Sequence, residues 1–163
     1  MKFWSGILAY SRTVILVAVL KLVCFSGIAR AGDIAIVVNP DVPMNALSLE
    51  EVRNLLLANR QFWSPDLKVT ILVRASLSRE REAMIKTICR MTEAQFRQYW
   101  ISKVFRDETT TGPKIVYSNE MATALVSQIP GSIALVDAAQ IPKGLKVLKV
   151  DGHLPGEEGY KLH

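Results

Sequence analysis

The sequence contains few of the residues on which most enzymes and metal sites depend. It has two histidines, His153 and His163, both near the C-terminus, and two cysteines, Cys24 and Cys89. Neither a Ser-His-acid nor a Cys-His arrangement can therefore be assembled from the predicted elements. No cysteines and histidines have the spacing of a metal site, and the chain has no glycine-rich phosphate loop. These absences argue against an enzyme, and we expect neither a cofactor nor a metal.

Acidic residues are missing from residues 1–31, which instead have the pattern of an export signal. The segment contains Lys2 and Arg12, an apolar run from Val14 to Ile28 and the triplet Ala29-Arg30-Ala31. A positive start, a short apolar core and a small-x-small end are typical of a signal peptide. The run of about 15 residues is shorter than the ~20 needed to span a bilayer, which favours cleavage over a retained anchor. We therefore expect a periplasmic protein that meets the membrane only through the uncleaved signal segment.

The net charge of +5 comes mostly from this same segment. Four of the 20 basic residues of the chain lie in it, together with none of the 15 acidic ones. Its removal leaves 16 basic residues against 15 acidic ones, a formal charge of +1. Because a nearly neutral domain has no general attraction for polyanions, we expect no nucleic-acid partner.

Strand-like and helix-like segments alternate over residues 32–150, as in an α/β domain. Strands are predicted at 33–38, 68–74, 114–117, 132–136 and 145–150. Four helices are predicted to begin near Ser48, Ser78, Thr92 and Ser118, and capping boxes open the first and third. About five strands and four helices should form one mixed sheet with helices on its faces, followed by a loose tail at 151–163. The thiol of Cys89 should be buried and unreactive on its helix.

The faces of the helices are predicted from the spacing of their apolar residues. Val104 and Met121 should face the core. The charged residues of the second helix should face solvent, and those at its start should offset one another in charge: Arg79, Glu80, Arg81, Glu82 and Lys86. Residues 59–66 should form a loop.

The turn after the second predicted strand is the most informative candidate site. The strand ends at Arg74, and Ser76 and Ser78 lie between it and the next helix. Free N–H groups and the dipole at a helix N-terminus attract anions, and arginine adds a forked donor. Alternatively, Ser78 is only a helix cap and Arg74 only a strand-end charge paired with an acid. The turn that begins at Asn39 either lines the same cleft or simply ends its strand.

Three stretches of the sequence, 34–63, 69–88 and 126–136, carry a resemblance to a known family. They contain, in order, a strand running into an Asn-Pro turn, a Leu-Ser-x-Glu helix, a tryptophan, a strand ending in arginine before a serine-rich turn, and a Pro-Gly-Ser-Ile turn. In order and spacing these elements resemble the phosphate ABC transporter substrate-binding proteins of the periplasmic-binding-protein-like superfamily. The resemblance implies a solute-binding α/β fold, of which this chain would form one lobe.

The resemblance also implies a ligand and its contacts. In the family, the turn matching Ser76–Ser78 and the arginine matching Arg74 help to hold phosphate. It follows that phosphate or a similar small anion would be bound by Arg74, Ser76 and Ser78, with Asn39 at the edge. A membrane permease or a sensor would be the protein partner. The family's Ser-Gly-Thr is here Ser76-Leu77-Ser78, so the close backbone approach that glycine allows is lost. The alternative role is a degenerate lobe that binds another protein and no small ligand.

Overall fold

The computed structural model describes residues 32–163, so the expected signal peptide at 1–31 lies outside the described residues. The strands are β1 (Ile34–Val38), β2 (Ala46–Leu47), β3 (Phe62–Ser64), β4 (Leu67–Lys68), β5 (Thr70–Arg74), β6 (Lys114–Val116), β7 (Ser132–Asp137), β8 (Lys146–Val147) and β9 (Lys149–Val150). The α-helices are α1 (Leu49–Leu56), α2 (Arg79–Ala83), α3 (Glu93–Phe105) and α4 (Asn119–Gln128). Helix α2 continues directly into a π-helical segment, Met84–Cys89.

The predicted mixed sheet is confirmed, with five strands in the order β6-β5-β7-β1-β8. Strand β5 is parallel to both β6 and β7, whereas β1 is antiparallel to β7 and to β8. Strand β1 therefore runs opposite to β5. Its carboxyl end meets the amino end of β7, where the N–H of Asn39 donates to the carbonyl of Ser132 at 3.0 Å. This polarity decides which of the predicted site residues can meet.

The helix starts follow from the capping residues that the sequence displays. The Ser48 hydroxyl accepts the N–H of Glu51 at 3.2 Å, while the Glu51 carboxylate accepts the Ser48 N–H at 2.7 Å. Thr92 and Gln95 make the same reciprocal pair at the start of α3. Each box satisfies two backbone donors that a helix end otherwise leaves unpaired. Both predicted capping boxes are therefore confirmed.

Helices cover both faces of the sheet, as predicted. On one face Ile71 and Val73 of β5 pack beneath α1, the α2–π segment and α3. On the other face Leu72 packs with Ala122 and Val126 of α4. The alternation of these β5 side chains between two cores is the period of two expected of a strand buried on both sides. Cys89 lies within the first core as a free thiol, which confirms its predicted burial, and desolvation raises the pKa of this thiol to about 12.

The structure contradicts the prediction of a loose tail at 151–163. Leu162 is fully buried in the core that contains Ile34. Its carbonyl accepts the N–H of Ile34 at 2.9 Å, and the Tyr160 hydroxyl donates to the carbonyl of Ile34 at 2.7 Å. Burial raises the pKa of Tyr160 above its ordinary value. The glycines at 152, 156 and 159 form turns that return the chain to β1, rather than marking a flexible end.

Several local predictions were also wrong. The predicted loop at 59–66 contains β3, which forms a hairpin with β4, and the last predicted strand is two short strands, β8 and β9. Glu80 and Arg81, predicted to face solvent, are buried. Val104 and Met121, predicted to face the core, are exposed instead. Each of these errors concerns the face of a helix or a short edge segment, which packing against distant residues decides.

Candidate functional site

Arg74 ends β5 with a side chain that is largely enclosed and only partly paired. The side chain is 13% exposed, and its Nε lies 3.6 Å from Oε2 of Glu80. That distance allows an ion pair but is too long for a good hydrogen bond. Nε and Nη1 are both buried and have no hydrogen-bond acceptor among residues 32–163. Because unsatisfied buried donors are costly, an added anionic oxygen at these atoms would be stabilised.

The turn that follows Arg74 has the backbone shape that its sequence does not favour. Leu77 has a φ of +70°, in the left-handed region, and its side chain is fully exposed. This conformation suits glycine and is unfavourable for leucine. Ser76 is exposed beside it, and Ser78 caps α2, its hydroxyl accepting the N–H of Arg81 at 3.2 Å. The helix-cap role considered for Ser78 is thus observed, and its hydroxyl proton remains available to donate.

Arg81 braces this turn against α3. Its Nε and Nη2 donate to the Glu93 carboxylate, with a shortest distance of 2.6 Å between Nη2 and Oε1. Its Nη1 donates to the carbonyl of Arg74 at 3.1 Å, and its guanidinium lies 5.6 Å from the centre of the Phe96 ring. These hydrogen bonds hold the pKa of Glu93 below its usual range. Arg81 is therefore a structural cation whose donors are already used.

The sequence does not reveal these Arg81 contacts directly, because the alternating positive and negative residues from Arg79 to Glu82 have the pattern of a solvent-exposed helix face. The signal lay in the position of Arg81, three residues after the Ser78 cap. A residue there begins the inward turn of the helix and lies next to the preceding strand end. Glu93, one residue after the Thr92 cap, is the second acid that the pattern offered.

Carboxylates balance the charge around Arg74. Glu80 lies on one side, and Glu120 at the start of α4 is close enough for the Arg74 charge to lower its pKa. The larger causes of that lowered pKa are hydrogen bonds to the Glu120 carboxylate from its own backbone N–H and from Ser118. The site thus has little excess positive charge. Any affinity for an anion would therefore come from directed hydrogen bonds, such as those that the Arg74 N–H groups can donate, rather than from a strongly positive electrostatic potential.

Two grooves lie beside the turn, on the face that α3 covers. One, of about 440 Å³, is lined by Ser76, Trp100, Ile101 and Ile115, among other residues. The other, of about 270 Å³, is lined by Ser76, Leu77, Ser78 and part of the α2–π segment. Arg74 lines neither, because it alternates with Val73 and so lies on the side of β5 that faces α4. Ser76 and Ser78 reach these grooves, while Arg74 lies across the strand end from them.

Asn39 does not join the other three predicted residues. It is 4% exposed, and its Nδ2 donates to the carbonyl of Val126 at 2.9 Å. Its Oδ1 accepts the N–H of Asp41 at 3.0 Å, which closes the turn after β1. Because β1 is antiparallel to β7, this turn lies at the opposite end of the sheet from Arg74. The expectation that Asn39 contributes to the edge of the same cleft is corrected, and the strand-end interpretation fits its contacts.

Among residues 32–163 no group of three or more histidine, cysteine, aspartate or glutamate side chains is arranged to hold a metal ion. A search of the same residues finds no helix that is both long enough and apolar enough to cross a membrane.

The fold is similar to about half of each of three solved proteins of phosphate transport. An ABC-type phosphate transport receptor from Vibrio cholerae matches with a TM-score of 0.59 and 19% identity, covering 76% of this chain and 48% of that one. PstS from Borrelia burgdorferi matches with a TM-score of 0.60 and 20% identity, covering 76% and 49%. A structure described as a phosphate ABC transporter substrate-binding protein with bound phosphate, from Clostridium perfringens, matches with a TM-score of 0.59 and 18% identity. The match covers 74% of this chain and 46% of that one.

This likeness confirms the predicted resemblance at the level of the fold. The chain spans about half the length of the solved structures it matches, since it covers 46%, 48% and 49% of them. No family model matches the sequence, and no curated protein matches it. The solute and the protein partners of this chain therefore have to be argued from its own residues.

Proposed function

We propose that this chain is an exported solute-binding domain that takes phosphate or a similar small anion at the carboxyl end of β5. The observation that carries the proposal is the pair of buried Arg74 donors, Nε and Nη1, without an acceptor among the described residues. They lie where a parallel strand runs into a helix, the position at which open α/β sheets bind ligands. The phosphate-transport names of the structural neighbours support the same class of ligand.

In this proposal the anion lies over the end of β5, with Arg74 on one side and the turn that holds Ser76 and Ser78 on the other, and Asn39 takes no part. Arg74 supplies two directed N–H donors, and Ser76 supplies an exposed hydroxyl. Ser78 can donate its hydroxyl proton to the anion while its oxygen still caps α2. The N–H groups at the start of α2 add their dipole, since the first turn of a helix carries partial positive charge.

Glu80 favours an anion that still carries a proton. A carboxylate 3.6 Å from the Arg74 Nε would repel a fully ionised anion but can accept a hydrogen bond from a P–O–H group. Sulfate carries no such proton near neutral pH. The proposed site should therefore bind phosphate in preference to sulfate, although the two have the same shape.

The test is the thermal stability of the full chain with added sodium phosphate, with sodium sulfate as the matched salt. Binding must raise the melting temperature, because a hundredfold excess over Kd stabilises by about 2.7 kcal/mol. Arg74→Gln and the milder Ser76→Ala should each reduce the phosphate shift. Arg53→Ala is the control, since Arg53 makes only a surface ion pair with Glu50 on α1. No shift at millimolar phosphate, or the same shift in Arg74→Gln, would refute the site.

A connection to ABC transport or to sensing completes the proposal. A membrane permease or a sensor protein would recognise whether this periplasmic domain holds its ligand. The domain needs no catalytic group for that role. Deleting the gene for this chain should then change phosphate uptake, or a phosphate response, in its own organism. Unchanged uptake and response, with anion binding intact, would refute the transport and sensing role alone.

A second function, a lobe that binds another protein and no small ligand, has one observation in its favour. Leu77 is fully exposed and lines the smaller groove beside the turn, while Ile101 and Ile115, which are 57% and 45% exposed, line the larger one, and Ser76 lines both. Adjacent exposed apolar side chains are typical of interaction surfaces. A photo-crosslinker at position 77 should then capture one defined protein in cells, whereas one at exposed Lys143 should not. Equal capture from both positions would argue against this function.

A further inference from the structure

A second pocket lies at the opposite end of β5 from Arg74. It has a volume of about 140 Å³ and lies between the end of α1, the start of β5 and the loop that holds Thr109, Thr111 and Gly112. A single water needs only about 10–15 Å³ measured in this way, so the pocket has room for a small molecule. It shares Trp100 with the larger groove near Ser76 but has its own opening and lining.

The charged residues that line this pocket are all basic. Arg60, Lys68 and Lys114 line it, and no aspartate or glutamate is among the lining residues. Arg60 is held in place by backbone carbonyls, since its Nε donates to the carbonyl of Phe62 at 3.0 Å and its Nη2 to that of Trp63 at 3.2 Å. Its charge also acts on the Glu51 carboxylate, which does not line the pocket. The side chains of Lys68 and Lys114 are exposed and have neither a hydrogen bond nor an ion pair within residues 32–163. Both lysines thus remain available to an anion.

The other walls of the pocket are apolar. Leu55, Ile71 and Trp100 form them, and each is buried in the protein core. Trp100 is 7% exposed, and its indole Nε1 is a buried donor without an acceptor among the described residues. An indole N–H that is buried usually has a partner. A ligand in this pocket would therefore contact apolar side chains, cations and the ring that carries this unpaired donor.

We propose that this pocket binds a small organic anion, a carboxylate or phosphate group attached to an apolar body. Three cations without a carboxylate select the negative charge. The apolar walls favour a ligand with an apolar body. An inorganic ion would lose hydration on entering the pocket and would gain no favourable contact with these walls. Since the pocket lies at the other end of β5, this site is independent of the one proposed at Arg74.

Benzoate, phenyl phosphate and benzyl alcohol are suitable probes, titrated into the isotope-labelled full chain by NMR. Benzoate or phenyl phosphate should shift the Trp100 indole N–H, assigned by its absence from Trp100→Phe, and the Gly112 amide. Comparison of these two anions distinguishes a carboxylate site from a phosphate site. Benzyl alcohol has the same ring without the charge and should leave both resonances in place at equal concentration.

Two double variants decide whether the lysines recognise the anion. Lys68→Gln/Lys114→Gln should weaken binding about tenfold, as expected for the loss of two exposed ion pairs. Lys143→Gln/Lys149→Gln removes two exposed lysines outside the pocket and should leave binding unchanged. Arg74→Gln should also leave it unchanged, which separates this result from the outcome at the first site. No shift at Trp100 or Gly112 at tens of millimolar probe, or equal weakening in both double variants, would overturn the proposal.

Discussion

Replacing Leu162 by alanine should lower the free energy of unfolding by about 2–3 kcal/mol, although the residue is next to the last in the chain. Its side chain is fully buried in the larger core, and its carbonyl accepts the N–H of Ile34 at 2.9 Å. Buried Leu→Ala changes cost about 2–5 kcal/mol, depending on the cavity that remains. We expect the lower half of that range, because Leu162 lies outside the regular strands and helices, where the backbone can move toward the cavity more easily than in a central strand.

Urea denaturation of the full chain, followed by tryptophan fluorescence, measures this loss. The midpoint should fall while the slope stays constant, because the native surface is unchanged. For a domain of this size the melting temperature should fall by about 10 °C. Lys161→Ala is the matched control: Lys161 makes an exposed ion pair with Asp151, worth no more than about 1 kcal/mol. Equal losses in the two variants would refute the packing of the tail against β1.

Three further changes test the turn, the strand end and the brace. Leu77→Gly should leave stability unchanged or raise it by up to about 1 kcal/mol in urea denaturation, because relief of the left-handed conformation outweighs the entropy of glycine; a loss would show that Leu77 is not strained. Asn39→Ala should cost about 1–3 kcal/mol but keep the phosphate-induced thermal shift, whose disappearance would place Asn39 in the site. Hydrogen bonds from Arg81 hold the pKa of Glu93 below 4.5, so its ionised form stabilises the fold above that pH and this contribution is lost as pH falls. Glu93→Gln should therefore flatten the acid-side loss of stability between about pH 5 and pH 3, and an unchanged slope would contradict this.

The features that the sequence predicted well are those that neighbouring residues determine. Ser48 with Glu51, and Thr92 with Gln95, form caps from residues three apart, so the relevant contacts are visible in the sequence itself. The continuous apolar run of β1 likewise predicts a strand buried on both faces, and every one of its residues is buried. The confirmed fold resemblance depends on the order of such elements, which local signals already fix.

The errors concern contacts between residues that are far apart in the sequence. The prediction that Asn39 lies at the edge of the Arg74 site is wrong because β1 runs antiparallel to its neighbours, which puts its carboxyl end at the opposite end of the sheet. The residues of β1 do not indicate its direction in the sheet, because a strand that is buried on both faces has the same apolar pattern whether it runs parallel or antiparallel to its neighbours. Leu162 is similar: it contacts Ile34, 128 positions earlier, and the glycines before it resemble those of a flexible tail. Only the assembled sheet decides either case.

Leu77 links the two functions proposed for the grooves beside Arg74. A leucine at φ +70° is unfavourable, and so is a fully exposed apolar side chain, yet the turn keeps this shape. Such strain persists only where the surroundings fix the backbone, and here the Ser78 cap and the Arg81 brace do so. The backbone can therefore present its donors to an anion as a glycine-containing turn would, while the Leu77 side chain extends away from it. The two proposed functions therefore use different atoms of one turn, its backbone for the anion and the Leu77 side chain for a protein partner, so they do not exclude each other.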